Sequence, residues 1–412
     1  MVIMKIVISA GLIIGILLAG LIFSPVLTGK YPQQAHGQAS TTGKTKKVLL
    51  VASEKEVQVA PDNALHPGGI KYNAMVFNGS IPGPLVAIDQ GDTLEITLRN
   101  DGKLVHSMDF HAGYGASKAN SGPVKPGESK IWTLKGIYPG MFFYHCSADA
   151  LNGIWEHIAN GMYGGILVHP TNEKPAKEFY VVFGEIYNKA DKGLFTAVNG
   201  TGTFDIAKFV NDQPDLILTN GMAFKYAPAI GQVVKLQLNP NAEVFKVKPG
   251  EPTRWYIVNG GPNDVVSFHF IGGIMNVTDG SADGNYGNTL LNEETYLVGP
   301  GQASVIDSVF PEAGLYVGVG HAMNHVLKGG AFAVLAADNS TATDHPTGTW
   351  VPPKGYPSAG APVDGKAPAT SGSNQTAATA AGGGGGASSN QTAATSTTAE
   401  GGGGSATGIP GM

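Results

Sequence analysis

Tyr138-Pro139-Gly140-Met141-Phe142-Phe143-Tyr144-His145-Cys146 decides the reading of the chain. Pro139 and Gly140 mark a turn, and the apolar run behind them reads as a β-strand passing from a sheet edge into a core. Cys146 is the only cysteine of the 412 residues, and a histidine directly precedes it. Neighbouring side chains of a strand point to opposite faces, so a thiolate on one face and an imidazole on the other serve two different metals joined by one peptide unit. Downstream His157 and Met162, with upstream His106, complete the Cys, two His and weak axial Met of a blue-copper centre. A lone cysteine is ordinarily a small buried hydrophobe and a methionine a gap filler. Four ligands of three types falling in the order and spacing of one site set that reading aside.

His106 and His111 lie five apart in Val105-His106-Ser107-Met108-Asp109-Phe110-His111. On a strand that spacing sends them to opposite faces and puts Asp109 on the face of His111. One histidine then joins Cys146 and the other joins His145. The first metal takes His106, Cys146, His157 and Met162; the second takes His111 and His145, with Asp109 hanging over it. Two imidazoles leave the second metal short of ligands.

An internal repeat sets the architecture. Gly91-Asp92-Thr93-Leu94-Glu95-Ile96-Thr97-Leu98-Arg99-Asn100, followed by His111, matches Gly250-Glu251-Pro252-Thr253-Arg254-Trp255-Tyr256-Ile257-Val258-Asn259, followed by His269 and Gly272. In each copy an acidic turn enters an alternating strand that leads toward a histidine-bearing one, a repeated supersecondary unit. The chain is therefore read as all-β: Val48 to Pro170 one domain, Thr171 to Lys177 a linker, and Glu178 to Ala337 a second domain, each the size of a Greek-key β-sandwich. Fifty-nine Gly, 26 Pro and 14% charged residues, with β-branched and aromatic runs broken by turn signals, agree with sandwiches. The second copy lacks a cysteine and cannot repeat the thiolate site, so its histidines serve something else.

The ends read differently. Residues 1–30 form a signal peptide or membrane anchor: Ile6 to Gly29 carries no charge and is long enough to span as a hydrophobic helix. No clean small-x-small cleavage site follows Phe23, which favours an uncleaved anchor. Either way the folded domains are extracytoplasmic, membrane-anchored or secreted. Residues 31–47 read as a flexible spacer. Residues 338–412 read as a low-complexity disordered tail, in which Ser373-Asn374-Gln375-Thr376-Ala377-Ala378-Thr379 recurs as Ser389 to Thr395. Asn78, Asn199, Asn276, Asn339, Asn374 and Asn390 head sequons open to glycans in an exported chain. A net charge of −5 argues against a nucleic-acid surface, and one cysteine excludes an internal disulfide.

His106 through His111, Tyr144-His145-Cys146, and His157 through Gly161-Met162 strongly resemble the copper-containing nitrite reductases, two-domain members of the multicopper oxidase superfamily, over roughly Val48 to Leu335. The resemblance implies two cupredoxin sandwiches and two coppers per subunit. It implies a type 1 copper on His106, Cys146, His157 and Met162, and a type 2 copper on His111, His145 and His321. Phe268-His269-Phe270-Ile271-Gly272-Gly273 resembles the segment holding the family's second catalytic residue, which falls on His269 beside Asp109, and Glu294-Thr295-Tyr296 resembles the stretch whose threonine supports that histidine. In the family His321 comes from the next subunit, a head-to-tail contact that closes as a trimer. Nitrite is then the substrate and nitric oxide the product, with electrons from a small blue-copper protein or cytochrome.

The chain departs from the family pattern in three places. The loop from Cys146 to His157 is about two residues longer. Ile274-Met275 stand where many members have another histidine. His325 has no role in the pattern and reads as a surface or loop histidine. Two alternatives remain open: a copper oxidoreductase acting on another small nitrogen compound such as hydroxylamine, and a non-enzymatic electron-transfer or copper-storage cupredoxin. The absence of any His-x-His pair excludes a trinuclear oxidase cluster on the family's own rule. A purely structural reading leaves Asp109 holding a backbone amide and His269 as a core histidine, and Ile271 shapes the substrate pocket or belongs to the core.

Overall fold

The computed structural model describes residues 43–114, 121–148, 153–189, 201–232, 235–279 and 289–361. The expected N-terminal helix at Ile6 to Gly29 and the repeats from Ser373 lie outside the described residues. Among the described residues no helix is long and apolar enough to cross a membrane.

The first sandwich has a sheet ordered Thr201–Gly202, Ile70–Phe77, Thr45–Ala60, Thr93–Asn100, Ser129–Lys135. Its second sheet is ordered Val86–Asp89, Tyr163–His169, Gly140–His145, Asp109–Phe110. The second sandwich has a six-stranded sheet centred on Lys177–Ile186, Pro252–Asn259 and Ala303–Val309. Against it lies a five-stranded sheet ordered Phe245–Val247, Ala331–Ala336, Gly314–Gly320, Val266–Ile271, Thr295–Val298. Among the described residues three short helices interrupt the strands: α1 (Ile154–Ala159), α2 (Ile206–Val210) and α3 (Met323–Leu327).

The repeat seen in the sequence is a repeat of structure. Thr93–Asn100 pairs in parallel with the first strand of its sandwich, and Pro252–Asn259 pairs in parallel with Lys177–Ile186. Asn100 donates from Nδ2 to the Leu104 and Val124 carbonyls and accepts from Gly102 N–H. Asn259 does the same with Asp264, Val298 and Gly261. A buried amide that satisfies two backbone groups of the next loop and one of a more distant segment fixes the path to the histidine-bearing strand, because those groups are costly to leave unpaired.

Gly140–His145 is buried on both faces. Tyr144 points into the first sandwich with Leu94, Ile96, Phe110 and Val168. Met141 and Phe143 point the other way, into a core shared by the sandwiches that includes Tyr163, Tyr180, Tyr256 and Val305. That double burial is why the strand is a continuous apolar run rather than an alternating one. The second sandwich closes over Phe179, Trp255, Phe268, Phe270 and Phe332.

The structure corrects two boundaries. The first strand begins at Thr45, inside the expected spacer. Asp338 to Ala361, expected to open the disordered tail, instead fold back over both domains. Trp350, Val351 and Ala359 are buried, Ala87 N–H donates to the Ala359 carbonyl, Ala361 N–H to Leu85, and Gly355 N–H to Asp89. The segment covers the free edge of Val86–Asp89, and an edge strand left open presents unpaired backbone groups. Residues 362–412 lie outside the described residues.

Candidate metal centres

His106 reaches its place through a single bridge, exchanging backbone hydrogen bonds with Val124, and the ladder begins only at Asp109–Phe110. The continuous strand expected from His106 to His111 is therefore absent, although the two histidines do separate as expected. Cys146 follows the last residue of its strand, and its N–H donates to Met162 O. The turn after α1 then closes with Met162 N–H on His157 O. Those two bonds bring Cys146, His157 and fully buried Met162 to one end of the first core.

The polar atoms converge. Cys146 Sγ lies 3.3 Å from His157 Nδ1 and 3.8 Å from His106 Nδ1, and the two Nδ1 atoms are 3.2 Å apart. His106 Nε2 is 3.0 Å from Glu54 Oε1. A proton on Nε2 serves that carboxylate and leaves Nδ1 as a lone pair. Sγ also accepts Ser107 N–H at 3.3 Å. Burial pushes the Cys146 thiol up to about 12, against the Ser107 and Ala148 amides. Burial with the charge of His106 brings His157 down to about 4, and burial lowers His106 against Glu54. Neutral imidazoles and a thiol that ionises only with help form a pocket that asks for a soft cation. This donor set fits copper.

On the other side of the same peptide, His145 Nδ1–H donates to the Cys146 carbonyl at 2.9 Å, leaving Nε2 outward, 3.4 Å from Asp109 Oδ2. Asp109 pairs with His145 across the ladder. His111 Nε2 lies 3.9 Å from the same carboxylate oxygen. Asp109, His111 and His145 form one cluster of metal-competent groups. The His145 bond and the nearby histidine charges hold the Asp109 carboxyl below its usual range, against burial. Burial and His145 lower His111. Phe143 packs at 5.3 Å from both imidazole rings. Gly301 of the second sandwich comes close: a Cβ there would sit 3.5 Å from His111 Cε1.

His269 and His321 lie together in the second sandwich, rings 5.3 Å apart. His269 Nδ1–H donates to the Glu294 carbonyl at 2.6 Å, so a backbone group orients this ring, not the threonine hydroxyl expected from Glu294-Thr295-Tyr296. Ile271 shares the outward face of its strand with His269 and is half exposed. Among the described residues, neither His269 nor His321 joins the Asp109–His111–His145 cluster within one chain. His325 corrects the expectation of a surface histidine: it is buried, with Nε2 3.0 Å from Asp264 Oδ2. A third cluster, His169, Glu173 and Glu178, already surrounds the Arg254 guanidinium. Its cation is built in.

Residues 58–173 and 177–314 match two multicopper oxidase family models. The copper-containing nitrite reductase of Neisseria gonorrhoeae is 31% identical over 325 residues, 77% of this chain and 71% of that protein. The chain belongs to the copper-containing nitrite reductases. A second family member, from Alcaligenes faecalis, is 30% identical across 73% of this chain and 78% of its own length. Among solved structures, the copper nitrite reductase of Nitrosomonas europaea superposes with a TM-score of 0.61 at 32% identity, covering 72% of this chain and 96% of that one.

Sequence reasoning missed Glu54, Phe143 and the Glu294 carbonyl. Glu54 is 52 residues from His106 in an ordinary alternating strand, and Phe143 looked like one more core residue. The Glu294 carbonyl has no side-chain signature at all.

Proposed function

We propose that this chain reduces nitrite to nitric oxide, and the observation that carries the reading is the adjacency of His145 and Cys146. One peptide unit joins the thiolate–imidazole pocket to the Asp109–His111–His145 cluster. Copper held by His106, Cys146, His157 and Met162 would supply a one-electron couple, and copper held by His111, His145 and His321 would supply an open position for an anion. Nitrite, one electron and two protons balance nitric oxide and water. Asp109 Oδ2 stands over His145 Nε2, and His269 is oriented through Nδ1, which leaves Nε2 as the nitrogen turned away from that bond; both residues are placed to hold and pass protons. The donor is a small electron-transfer protein.

Each chain presents two half-sites, and this supports assembly in trans. The side chains of Asp109 and His111 are 38% and 40% exposed, and His321 is exposed. Around His269 the outward sheet face carries exposed Ile271, Leu297 and Leu315. An apolar patch rimmed by such groups suits a second copy, and a head-to-tail contact closes as a ring, here a homotrimer. Export through residues 1–30, with or without retention in the membrane, belongs to the same reading.

Anaerobic turnover of copper-loaded protein with a reduced dye and nitrite, followed at a nitric oxide electrode, tests the reaction; copper-loaded protein that leaves nitrite untouched refutes it. Mixing inactive His321→Ala chains with inactive His111→Ala chains tests the assembly. Recovery of about a quarter of parental activity is expected where equal amounts exchange at random into closed trimers, because a site is complete only when it takes His111 from one variant and His321 from the other. A fully active parental monomer refutes assembly in trans.

A further inference from the structure

We infer that Glu54 is a positioning residue of the first copper site: its carboxylate fixes the His106 ring with Nδ1 toward Cys146 and strengthens that imidazole as a donor. The inference rests on the copper assignment proposed above. Glu54 Oε1 meets His106 Nε2 at 3.0 Å while Nδ1 of the same ring faces Cys146 Sγ and His157 Nδ1. The His106 side chain is wholly buried, and Glu54 is 28% exposed. The carboxylate thus reaches into the pocket from the rim.

The same carboxylate holds the loop that carries His106. Lys103 N–H donates to Oε2 at 2.8 Å and Leu104 N–H to Oε1 at 3.2 Å. Glu54 belongs to Thr45–Ala60, which pairs with strands on both sides, so the His106 loop is tied to a rigid element. Ring and loop are set by one group.

A carboxylate on the far nitrogen of a ligand imidazole fixes its tautomer and raises its basicity, and losing such a partner typically costs about 10–100-fold in affinity or activity. A more basic ligand favours the more highly charged, oxidised metal. Removing Glu54 therefore shifts the couple toward the reduced form.

The test uses the copper-loaded full chain. Glu54→Leu removes every bond. Glu54→Gln keeps one oxygen for His106 and Leu104 but loses the charge. In Glu54→Leu the visible thiolate band is expected to shift, and the equilibrium with a one-electron mediator to move about tenfold toward reduced copper, about 59 mV. Glu54→Gln should keep the band and move the equilibrium by a smaller amount in the same direction. A group that only staples the loop would lower the melting temperature of both variants and leave their potentials at the parental value, which overturns the inference. If Glu54→Leu does not fold, an unmoved potential in Glu54→Gln overturns it alone. A parental protein without a thiolate–copper band would sink the site itself, a different failure from an unmoved potential.

Discussion

In the first sandwich Asp109 pairs with His145 across the ladder and Phe110 with Tyr144; in the second, His269 pairs with Val319 and Phe270 with Gly318. The strands that follow also match: His145 pairs with Tyr163, and Val319 with Ala331. Counting along these ladders puts Val266 where His106 stands, Gly320 where Cys146 stands, His325 where His157 stands and Gly330 where Met162 stands. The turn bonds agree. Met162 N–H donates to His157 O, and Gly330 N–H to His325 O; Gly161 and Gly329 both have positive φ, at 108° and 105°. The second sandwich keeps the frame of the proposed copper site and one of its four proposed ligands, and His325 directs its Nε2 to Asp264. Fold and metal site are separable here: the frame stands without three of the four side chains, as expected when function is grafted onto a scaffold.

The comparison breaks most visibly at Cys146. Cys146→Ala gives the first sandwich the emptiness that Gly320 gives the second. Complete loss of the visible charge-transfer band is expected, with loss of dye-driven nitrite turnover and retention of the His111–His145–His321 copper. An intense band surviving in this variant contradicts the ligand set.

Asp109 and His269 hold the same ladder position in the two copies, so the residues proposed to handle protons are structural counterparts, which the proposed ring assembly would bring together from different chains. Asp109→Asn keeps shape while removing the titrating group. Copper content and colour should persist while turnover falls by on the order of 10² to 10⁴, and His269→Ala should do likewise. Parental rates in copper-loaded Asp109→Asn would make both residues structural.

The sorting of these side chains into two clusters was legible in the sequence because residue type and parity are local. His106 and Cys146 fall in one cluster and His111 and His145 in another, although the strand assumed between the two upstream histidines is only a bridge and a two-residue ladder. The duplication was legible because its strands keep the alternating pattern and end in Asn100 and Asn259. What stayed hidden was set by tertiary contact. Glu54 acts across 52 residues. The fold-back of Asp338 to Ala361 depends on an edge that composition does not reveal. The kinship of His325 with His157 needs strand register, because the other three of the four positions no longer carry a ligand side chain.

Restoring ligands to the second copy sharpens the comparison. A Cβ on Gly320 would lie 3.5 Å from His325 Nδ1 and 3.6 Å from Val266 Cγ1, ordinary contact distances, whereas one on Gly330 would meet Ile217 Cγ2 at 2.4 Å. Gly320→Cys with Val266→His therefore fits better than any change at Gly330. In a Cys146→Ala background, the pair is expected to return a visible thiolate–copper band, at a stability cost of roughly 1–3 kcal/mol for the buried imidazole. A folded, copper-exposed triple variant without a band shows that the frame has drifted too far to bind.

The smallest effect is expected where the two copies end. Ladder pairing sets His169 opposite the position of Ala337: the first sandwich closes on an imidazole and the second on a methyl group. His169 Nδ1 is 2.8 Å from Glu173 Oε2 and its Nε2 is 2.9 Å from the Pro352 carbonyl, so both nitrogens donate when the ring is charged. Burial alone would lower its pKa, but Glu173, Glu178 and the Pro352 carbonyl outweigh burial and raise it. Glu173 and Glu178 also meet Arg254, whose Nε bonds Asp307, and Tyr256 donates to Glu178 at 2.6 Å. The clasp thus ties the linker to the second sandwich and, through Pro352, to the folded-back segment. A group whose folded pKa is raised binds more protons in the folded state, so its stabilisation is complete below the ordinary histidine value of about 6.5 and is lost as pH rises through the folded value. His169→Gln should cost about 1.5–3 kcal/mol at pH 6, the range for hydrogen bonds to charged groups, and less at pH 9. Glu185, pushed up to about 7 by burial, gives a slope of the same sign at lower pH. The measurement is therefore the difference between variant and parental unfolding free energies from pH 6 to pH 9. A difference that stays constant across that range would mean that the ring is held by shape and not by charge.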